Sequence, residues 1–322
     1  MRTIEIKQPG GPENLVIGQR AIPTPADDEI LVRVAAAGVN GPDMLQRRGH
    51  YPPPPGASDL MGLEVSGEVV DFGAAVTRWQ TGDKVCGLTN GGGYAEYVAV
   101  NAGHCLPIPD GVSLEDAAGL PETYFTVWNN CFFRRPATNG STFLVHGGAG
   151  GIGSTAIQFG AALGMRVFTT CGSDESAEFC KSLGAELAIN YRTGDFVKAV
   201  RDAGGADMIL DIMGGDYVER NFKACNADGR IVQLAFNKGA EVTVNLMPVM
   251  LKRLTFTGST LRPRSAEFKA AVAADLEGKI WPLIAKGKVR PTTFARFPMD
   301  DVQKAHQQME AGGHLGKILL TM

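Results

Sequence analysis

Residues 142–153 read TFLVHGGAGGIG, and residues 154–164 read STAIQFGAALG. The apolar run 143–145 predicts a buried strand, the glycines form a turn, and the apolar positions after it recur at helical spacing. Strand, glycine turn and helix start are the context a dinucleotide needs. Gly148, Gly150 and Gly153 fit the G-x-G-x-x-G spacing. The first glycine permits the tight turn, the middle one lets backbone approach a pyrophosphate, and the last lets helix and strand pack closely. Free N–H groups at the helix start face the phosphate charge. A bound nucleotide is therefore expected against Gly148, Ala149, Gly150, Gly151 and Ile152.

Composition limits the alternatives. A chain of 322 residues, 44% hydrophobic, buries a large core and suggests two domains. A formal net charge of −3 gives no electrostatic reason to expect nucleic acid or an anionic membrane as partner. No apolar stretch approaches the roughly 20 residues of a membrane span. The N-terminus MRTIEIKQPGG lacks a basic region followed by an apolar one, so no secretory signal is expected. Cys86, Cys105, Cys131, Cys171, Cys180 and Cys225 are scattered without a CxxC pair. They read as reduced thiols in a cytoplasmic protein.

Outward from the glycine turn, the chain changes rhythm twice. EILVRVAAAGVN, EVSGEVVDFG, GDKVCGL and AEYVAV are short β segments broken by turn residues, the pattern of a barrel or sandwich. From about residue 125, strands at 143–145, 167–170, 187–189, 208–210 and 231–234 alternate with helices beginning near Gly151, Asp174, Asp195 and Asp216. That alternation predicts a parallel α/β sheet with helices on both faces; 255–257 is a candidate sixth strand. After residue 262, SAEFKAAVAADLEGKIWPLIAKG reads as one or two amphipathic helices and GKILLTM as a terminal strand. Residues 247–253, MPVMLKR, are expected under the sheet or at a dimer contact. The pair Arg47–Arg48 reads as a short solvated basic cluster, and His146 as a packed residue.

The segments VRVAAAGVNGPDMLQRRGHYPPPPGASDLMGLEVSGEV, GGGYAEYV, LPETYFTVW, VHGGAGGIGSTAIQ and GHLGKILL resemble the medium-chain dehydrogenase/reductase superfamily. Within it they are similar to the zinc-free quinone oxidoreductase branch, the zeta-crystallin type. The resemblance runs nearly end to end. It implies a GroES-like β-barrel catalytic domain split as 1–123 and 263–322. A Rossmann dinucleotide-binding domain at 124–262, a doubly wound parallel sheet, interrupts it. It also implies an active site in the cleft between the domains and a homodimer through Rossmann edge strands.

In zinc-dependent relatives the position of Asn40 is usually a cysteine ligand and that of Leu63 a histidine. Neither residue here offers the thiolate or imidazole that zinc prefers. The four-cysteine lobe for structural zinc is absent too, and Glu64 remains as a lone carboxylate that braces a fold. No metal is expected. Without a Lewis acid an ordinary ketone is a poor substrate, whereas a quinone or activated alkene accepts hydride through its own conjugation.

The cofactor is read from the second Rossmann strand. An Asp or Glu near its end would hold an NAD ribose; here Cys171 is followed by Gly172 and Ser173, an uncharged turn with room for a 2′-phosphate. The resemblance places Tyr191 beside that phosphate. Relatives carry a lysine where this chain has Ser176, and Asp174 and Glu175 flank the turn. NADPH is expected rather than NADH. By the same resemblance Asn40 hydrogen-bonds substrate or nicotinamide ribose, and Tyr51 lies over the nicotinamide, where it orients a carbonyl or donates a proton. Thr126 lies beside the ribose, the backbone of Ala235 and Phe236 holds the carboxamide, and Lys317 reaches a phosphate.

The expected activity is reduction of a small-molecule quinone or similar conjugated carbonyl by NADPH, with Asn40 and Tyr51 as catalytic residues. Two alternatives use the same features: an NADPH-dependent 2-enal or enoyl-thioester reductase, and a catalytically weak NADPH-binding sensor or crystallin-like protein.

Overall fold

In the computed structural model, which describes residues 1–133 and 138–322, the chain divides into two units, Met1–Phe125 with Leu261–Met322, and Thr126–Thr260. The first unit opens with an antiparallel pair, β1 (Arg2–Ile6) and β2 (Leu15–Gln19). Next come β3 (Glu29–Val39), helix α1 (Gly41–Arg47), β4 (Glu64–Phe72), β5 (Lys84–Leu88), β6 (Tyr97–Asn101) and β7 (Cys105–Pro107). Helix α2 (Pro121–Val127) carries the chain from the first unit into the second.

The second unit alternates strand and helix. Its strands are β8 (Thr142–His146), β9 (Arg166–Cys171), β10 (Leu187–Asn190), β11 (Ala206–Asp211), β12 (Cys225–Gln233) and β13 (Thr255–Gly258). Its helices are α3 (Gly151–Ala162), α4 (Asp174–Ser182), α5 (Phe196–Asp202), α6 (Tyr217–Ala224) and α7 (Met247–Lys252). All pairings are parallel, in the order β10-β9-β8-β11-β12-β13. This is the doubly wound order in which nucleotides bind at the carboxyl ends of the strands. Leu144, Phe168, Ile209 and Ile231, one from each of four neighbouring strands, meet in the core beneath α5 and α6.

The chain then returns to the first unit through α8 (Ala266–Lys279), α9 (Trp281–Ala285), β14 (Thr293–Pro298), α10 (Val302–Ala311) and β15 (Lys317–Thr321). Pro282 at the start of α9 separates the two helices that the sequence leaves open as one or two. β15 inserts between β14 and β3 to complete the sheet β14-β15-β3-β4-β5-β7, with β6 also on β3. Val32, Val34, Val65, Val85, Ile318 and Leu320 form its core.

Two sequence expectations, the start of β12 and the solvation of Arg47, need correction. β12 begins six residues before the expected 231, because the Asp228-Gly229 pair that reads as a turn is a bend inside the strand. Asp228 takes φ 61°, and the register against β11 shifts between Ala206 and Met208. Residues 247–253 are divided: Val249 packs against the core of the second unit, whereas Met250 and Leu251 are 65% and 66% exposed. Arg47 is not solvated but fully buried. Its guanidinium donates to His306 Nδ1 at 3.0 Å, to the Gly10 carbonyl at 2.9 Å and to Glu310.

Candidate active site

In the second unit the glycine turn is shaped by crowding. A Cβ on Gly148 would stand 2.1 Å from Thr169 Oγ1, and one on Gly153 would stand 2.2 Å from the Gly147 carbonyl oxygen. A Cβ on Gly150 would meet no protein atom nearer than 3.8 Å, so the fold leaves that space open. Gly150 is the N-cap of α3, and no side chain caps this helix start. The first-turn N–H groups therefore present a positive end to an anion. These residues fit a dinucleotide pyrophosphate.

At the carboxyl ends of β9 and β10 the structure brings Gly172, Ser173 and Tyr191 together. The Tyr191 hydroxyl stands where a Cβ on Gly172 would come within 2.8 Å. Ser173 Oγ accepts from the Ser176 N–H at 3.1 Å and caps α4. Asp174 is engaged by Asn190 Nδ2 at 2.9 Å. At the end of β12, the Ala235 carbonyl accepts from Gln233 Nε2 at 2.6 Å, and Phe236 is exposed. Thr126 lies on α2, where its carbonyl accepts from Asn130 Nδ2 at 2.9 Å. His146 is a packed brace. Burial pushes its imidazole down to about 4, so it is neutral near pH 7. Nδ1 accepts from Thr170 at 2.9 Å and Nε2 donates to Asn221 Oδ1 at 2.7 Å. Asn221 in turn donates to Asp211.

The first unit builds a second cluster from elements far apart in sequence. Asn40 ends β3 and starts α1, and the Asp43 carboxylate reaches back to its N–H at 2.8 Å. The Asn40 amide turns away from the helix. Its Nδ2 donates to Glu64 Oε1 at 2.8 Å, and its Oδ1 accepts from Lys317 Nζ at 2.5 Å. Lys317 also donates to Glu64 Oε1 at 2.5 Å, and Glu64 Oε2 accepts from the Glu122 N–H at 2.8 Å. Glu64 is fully buried, and Lys317 and Asn40 nearly so. Gly38 makes the space: a Cβ there would stand 1.9 Å from Glu64 Oε1.

Asp43 is buried beneath this cluster and also accepts from the Gly62 N–H and the Tyr94 hydroxyl, each at 3.2 Å. Burial raises its carboxyl to about 6 against these donors. Tyr94 continues to His306 at 3.2 Å and so to Arg47. Burial holds the His306 imidazole down at about 3, so it bridges the two as a neutral ring.

Tyr51 lies in the same unit, its ring covered by the Arg262 guanidinium 5.0 Å from the centroid. Burial pushes its phenol above the usual range, and the Glu122 charge adds to that. Arg262 donates to the Asn90 carbonyl at 2.7 and 3.0 Å. Lys269 donates to Asn90 Oδ1 at 2.6 Å, and burial lowers its amine to about 8. Sequence reading missed Arg262, Lys269 and Glu122; a lysine inside the amphipathic pattern SAEFKAAV was the available signal for one of them. The protons of Lys317, expected on a phosphate, point instead at Glu64, Asn40 and the Val39 carbonyl.

Glu122 has a pH consequence. Burial, with the Glu64 charge second, raises its carboxyl from 4.5 to about 8. A carboxyl raised on folding contributes stability below the unfolded value that is lost as pH rises through the folded one. Glu122→Gln is therefore expected to match the wild type near pH 4 and exceed it above about pH 8, by a few kcal/mol at most. Urea unfolding at the two pH values measures this.

Comparison with known proteins agrees with the fold. Residues 26–110 match the alcohol dehydrogenase GroES-like domain family, and residues 151–276 the zinc-binding dehydrogenase family. Quinone oxidoreductase of Lama guanicoe is 30% identical over all of this chain and 98% of its own length. That of Rattus norvegicus is 27% identical with the same coverage. Among solved structures, Escherichia coli quinone oxidoreductase complexed with NADPH superposes with a TM-score of 0.88, at 28% identity over the full length of both chains. An NAD-dependent alcohol dehydrogenase gives 0.89 at 28%, also over both full lengths. The CurK enoyl reductase gives 0.87 at 25%, over all of this chain and 99% of its own.

The chain belongs to the medium-chain dehydrogenase/reductase superfamily: an α/β oxidoreductase with a GroES-like domain and a Rossmann domain that uses a nicotinamide dinucleotide. Its full-length relatives within that superfamily include the quinone oxidoreductases. Among the described residues no helix is long and apolar enough to cross a membrane.

Proposed function

We propose that this protein is an NADPH-dependent quinone oxidoreductase that works without zinc. The observation that carries this reading is the buried Lys317 ammonium on Asn40 and Glu64. The two positions that hold metal in zinc-dependent relatives are an amide already hydrogen-bonded and the apolar Leu63. A dication brought beside Glu64 would meet a fixed ammonium, and softer donors are lacking. These residues do not fit zinc. The acceptors that remain are those whose own conjugation takes up hydride.

The reduced nicotinamide, when bound, supplies that hydride. The protein's own residues bind and orient. Gly148, Ala149, Gly150, Gly151 and Ile152 take the pyrophosphate. Gly172, Ser173 and Tyr191 take the 2′-phosphate end, Thr126 the ribose, and Ala235 and Phe236 the carboxamide. Asn40, locked by Glu64 and Lys317, and Tyr51, stacked by Arg262, orient the acceptor. The uncharged Gly172–Ser173 turn is what favours NADPH. Gly172→Asp should turn the preference toward NADH by at least about tenfold, since an acid there repels the phosphate and holds the ribose. The ratio of kcat/KM for the two cofactors reads it.

The test is an acceptor panel. Purified protein is mixed with NADPH and ortho-quinones, para-quinones and 2-enals, and cofactor absorbance is followed. Quinone-dependent oxidation is expected; oxidation with none would overturn the proposal in favour of a binding protein. Oxidation with 2-enals alone would select the enal or enoyl-thioester reductase, a second reading favoured by the likeness to the CurK enoyl reductase.

We also propose a homodimer through the second unit. Among the described residues β13 is the last strand of its sheet, and Leu246, Met250 and Leu251 of the neighbouring segment are apolar and exposed. Leu251→Asp should convert the dimer to a monomer in sedimentation velocity without loss of secondary structure.

A further inference from the structure

We propose that Gln233 is a positioning residue for the nicotinamide end of the cofactor, the last member of a polar chain laid beneath the carboxyl ends of four strands. This rests on the reading that the backbone of Ala235 and Phe236 receives the carboxamide.

The chain starts under the glycine turn. The Thr170 carbonyl, at the end of β9, accepts from the Gly147 and Gly148 N–H groups at 3.1 and 3.0 Å. The Thr170 hydroxyl donates to His146 at the end of β8, His146 donates to Asn221 on α6, and Asn221 donates to Asp211 at the end of β11. All four side chains are buried. The Asp211 carboxylate also accepts from the Met213 and Gly214 N–H groups at 2.5 and 3.2 Å. Its main-chain carbonyl accepts from Gln233 Nε2 at 3.3 Å. Gln233 closes β12, and the same nitrogen donates to the Ala235 carbonyl at 2.6 Å. One hydrogen-bonded line thus joins the turn proposed for the pyrophosphate to the segment proposed for the carboxamide. It runs along the edge where open α/β sheets bind nucleotides.

The Gln233 amide is costly where it stands. Two carbonyl oxygens face its nitrogen, and only an N–H can donate to them, which fixes the orientation of the amide. Oε1 is left buried, and among the described residues it has no hydrogen-bond partner. A buried acceptor without a donor costs folding free energy that an apolar side chain of the same length would avoid. The fold does not depend on what Nε2 donates. The Asp211 carbonyl already accepts from the Leu234 N–H at 2.8 Å, and Ala235 is partly exposed, within reach of water. What the amide adds is placement. Residues 234–236 leave the strand as irregular backbone, and Gln233 ties the first carbonyl beyond Leu234 back to the sheet. That carbonyl keeps a second lone pair for the N–H of a carboxamide. A local cost held in place by its surroundings is characteristic of ligand sites.

Titration calorimetry and thermal melts of wild type, Gln233→Met and Gln233→Asn test this. The ligands are NADPH, its reduced 3-acetylpyridine analogue, which lacks the amide nitrogen, and 2′-phospho-ADP-ribose, which lacks the nicotinamide. Methionine keeps the length of the side chain without a donor. Asparagine keeps the amide but is one methylene short of bridging the two carbonyls, and it serves if the Met variant does not fold. Both variants should bind NADPH about tenfold more weakly than the wild type, and 2′-phospho-ADP-ribose equally well. The wild type should prefer NADPH to the acetylpyridine analogue, and both variants should lose most of that preference. Gln233→Met should melt no lower than the wild type, because the orphaned acceptor leaves together with the donor.

A Gln233→Met protein with wild-type affinity and preference would overturn the role of Gln233 and leave the carboxamide reading intact. Equal weakening toward NADPH and 2′-phospho-ADP-ribose, with a lower melting temperature, would make Gln233 a scaffold residue and overturn the role as well. A wild type indifferent to the missing amide nitrogen would overturn the carboxamide reading and the role together.

Discussion

Lys317→Met is expected to destabilise the protein by about 3–5 kcal/mol, the usual cost of stranding one partner of a buried ion pair. Glu64 is fully buried, and Lys317 supplies its charge partner at 2.5 Å. Removing the ammonium also leaves the Asn40 Oδ1 without its donor, while Nδ2 stays on Glu64. A second substitution, Glu64→Gln on the Lys317→Met background, should recover part of the loss, because two neutral groups replace an unpaired one. Urea unfolding of the four proteins in a cycle supplies the measurement. A Lys317→Met chain as stable as the wild type would mean that the ammonium does not hold this cluster.

The second large effect is expected at the glycine turn, where two neighbouring positions should fail differently. Gly153→Val places a Cβ 2.2 Å from the Gly147 carbonyl oxygen and 2.5 Å from Gly148 Cα, both backbone atoms that cannot swing aside. The turn must shift, so NADPH binding and melting temperature should fall together. Gly150→Ala meets nothing within the protein nearer than 3.8 Å, so melting should change little. Its methyl stands where backbone must approach a pyrophosphate, so NADPH should bind at least about tenfold more weakly, which is some 1.4 kcal/mol of lost contact. Calorimetric titration beside thermal melts separates the two. Undiminished binding by Gly150→Ala would move the pyrophosphate elsewhere.

The second unit was legible because its signals are local. An apolar run followed by glycines and a 3.6-residue period fixes β8, the turn and α3 within 25 residues of chain, and the same alternation locates β9, β10, β11 and β13. β12 was read short because Asp228-Gly229 has the chemistry of a turn yet sits inside a bulged strand. In the first unit the informative contacts are long-range. Lys317 and Glu64 are separated by 253 residues, and Arg47 and His306 by 259. Neither pairing leaves a periodic trace. Adjacent arginines read as solvated unless the acid and imidazole that bury one of them, on α10, are known. Asn40 was named as a candidate site residue through the family resemblance, and Glu64 was read as a carboxylate that braces the fold. That Lys317 of the final strand joins them was not foreseen, because the resemblance places its ammonium on a phosphate and nothing in GKILLTM points to a partner 253 residues away.

The account turns on an ammonium, and no metal, beside Asn40 and Glu64. Elemental analysis of the purified protein, paired with quinone turnover before and after treatment with a strong chelator, tests that most directly. The expected result is a transition-metal content far below one ion per chain and unchanged turnover. One ion per chain, with turnover lost on chelation and restored by zinc, would contradict it.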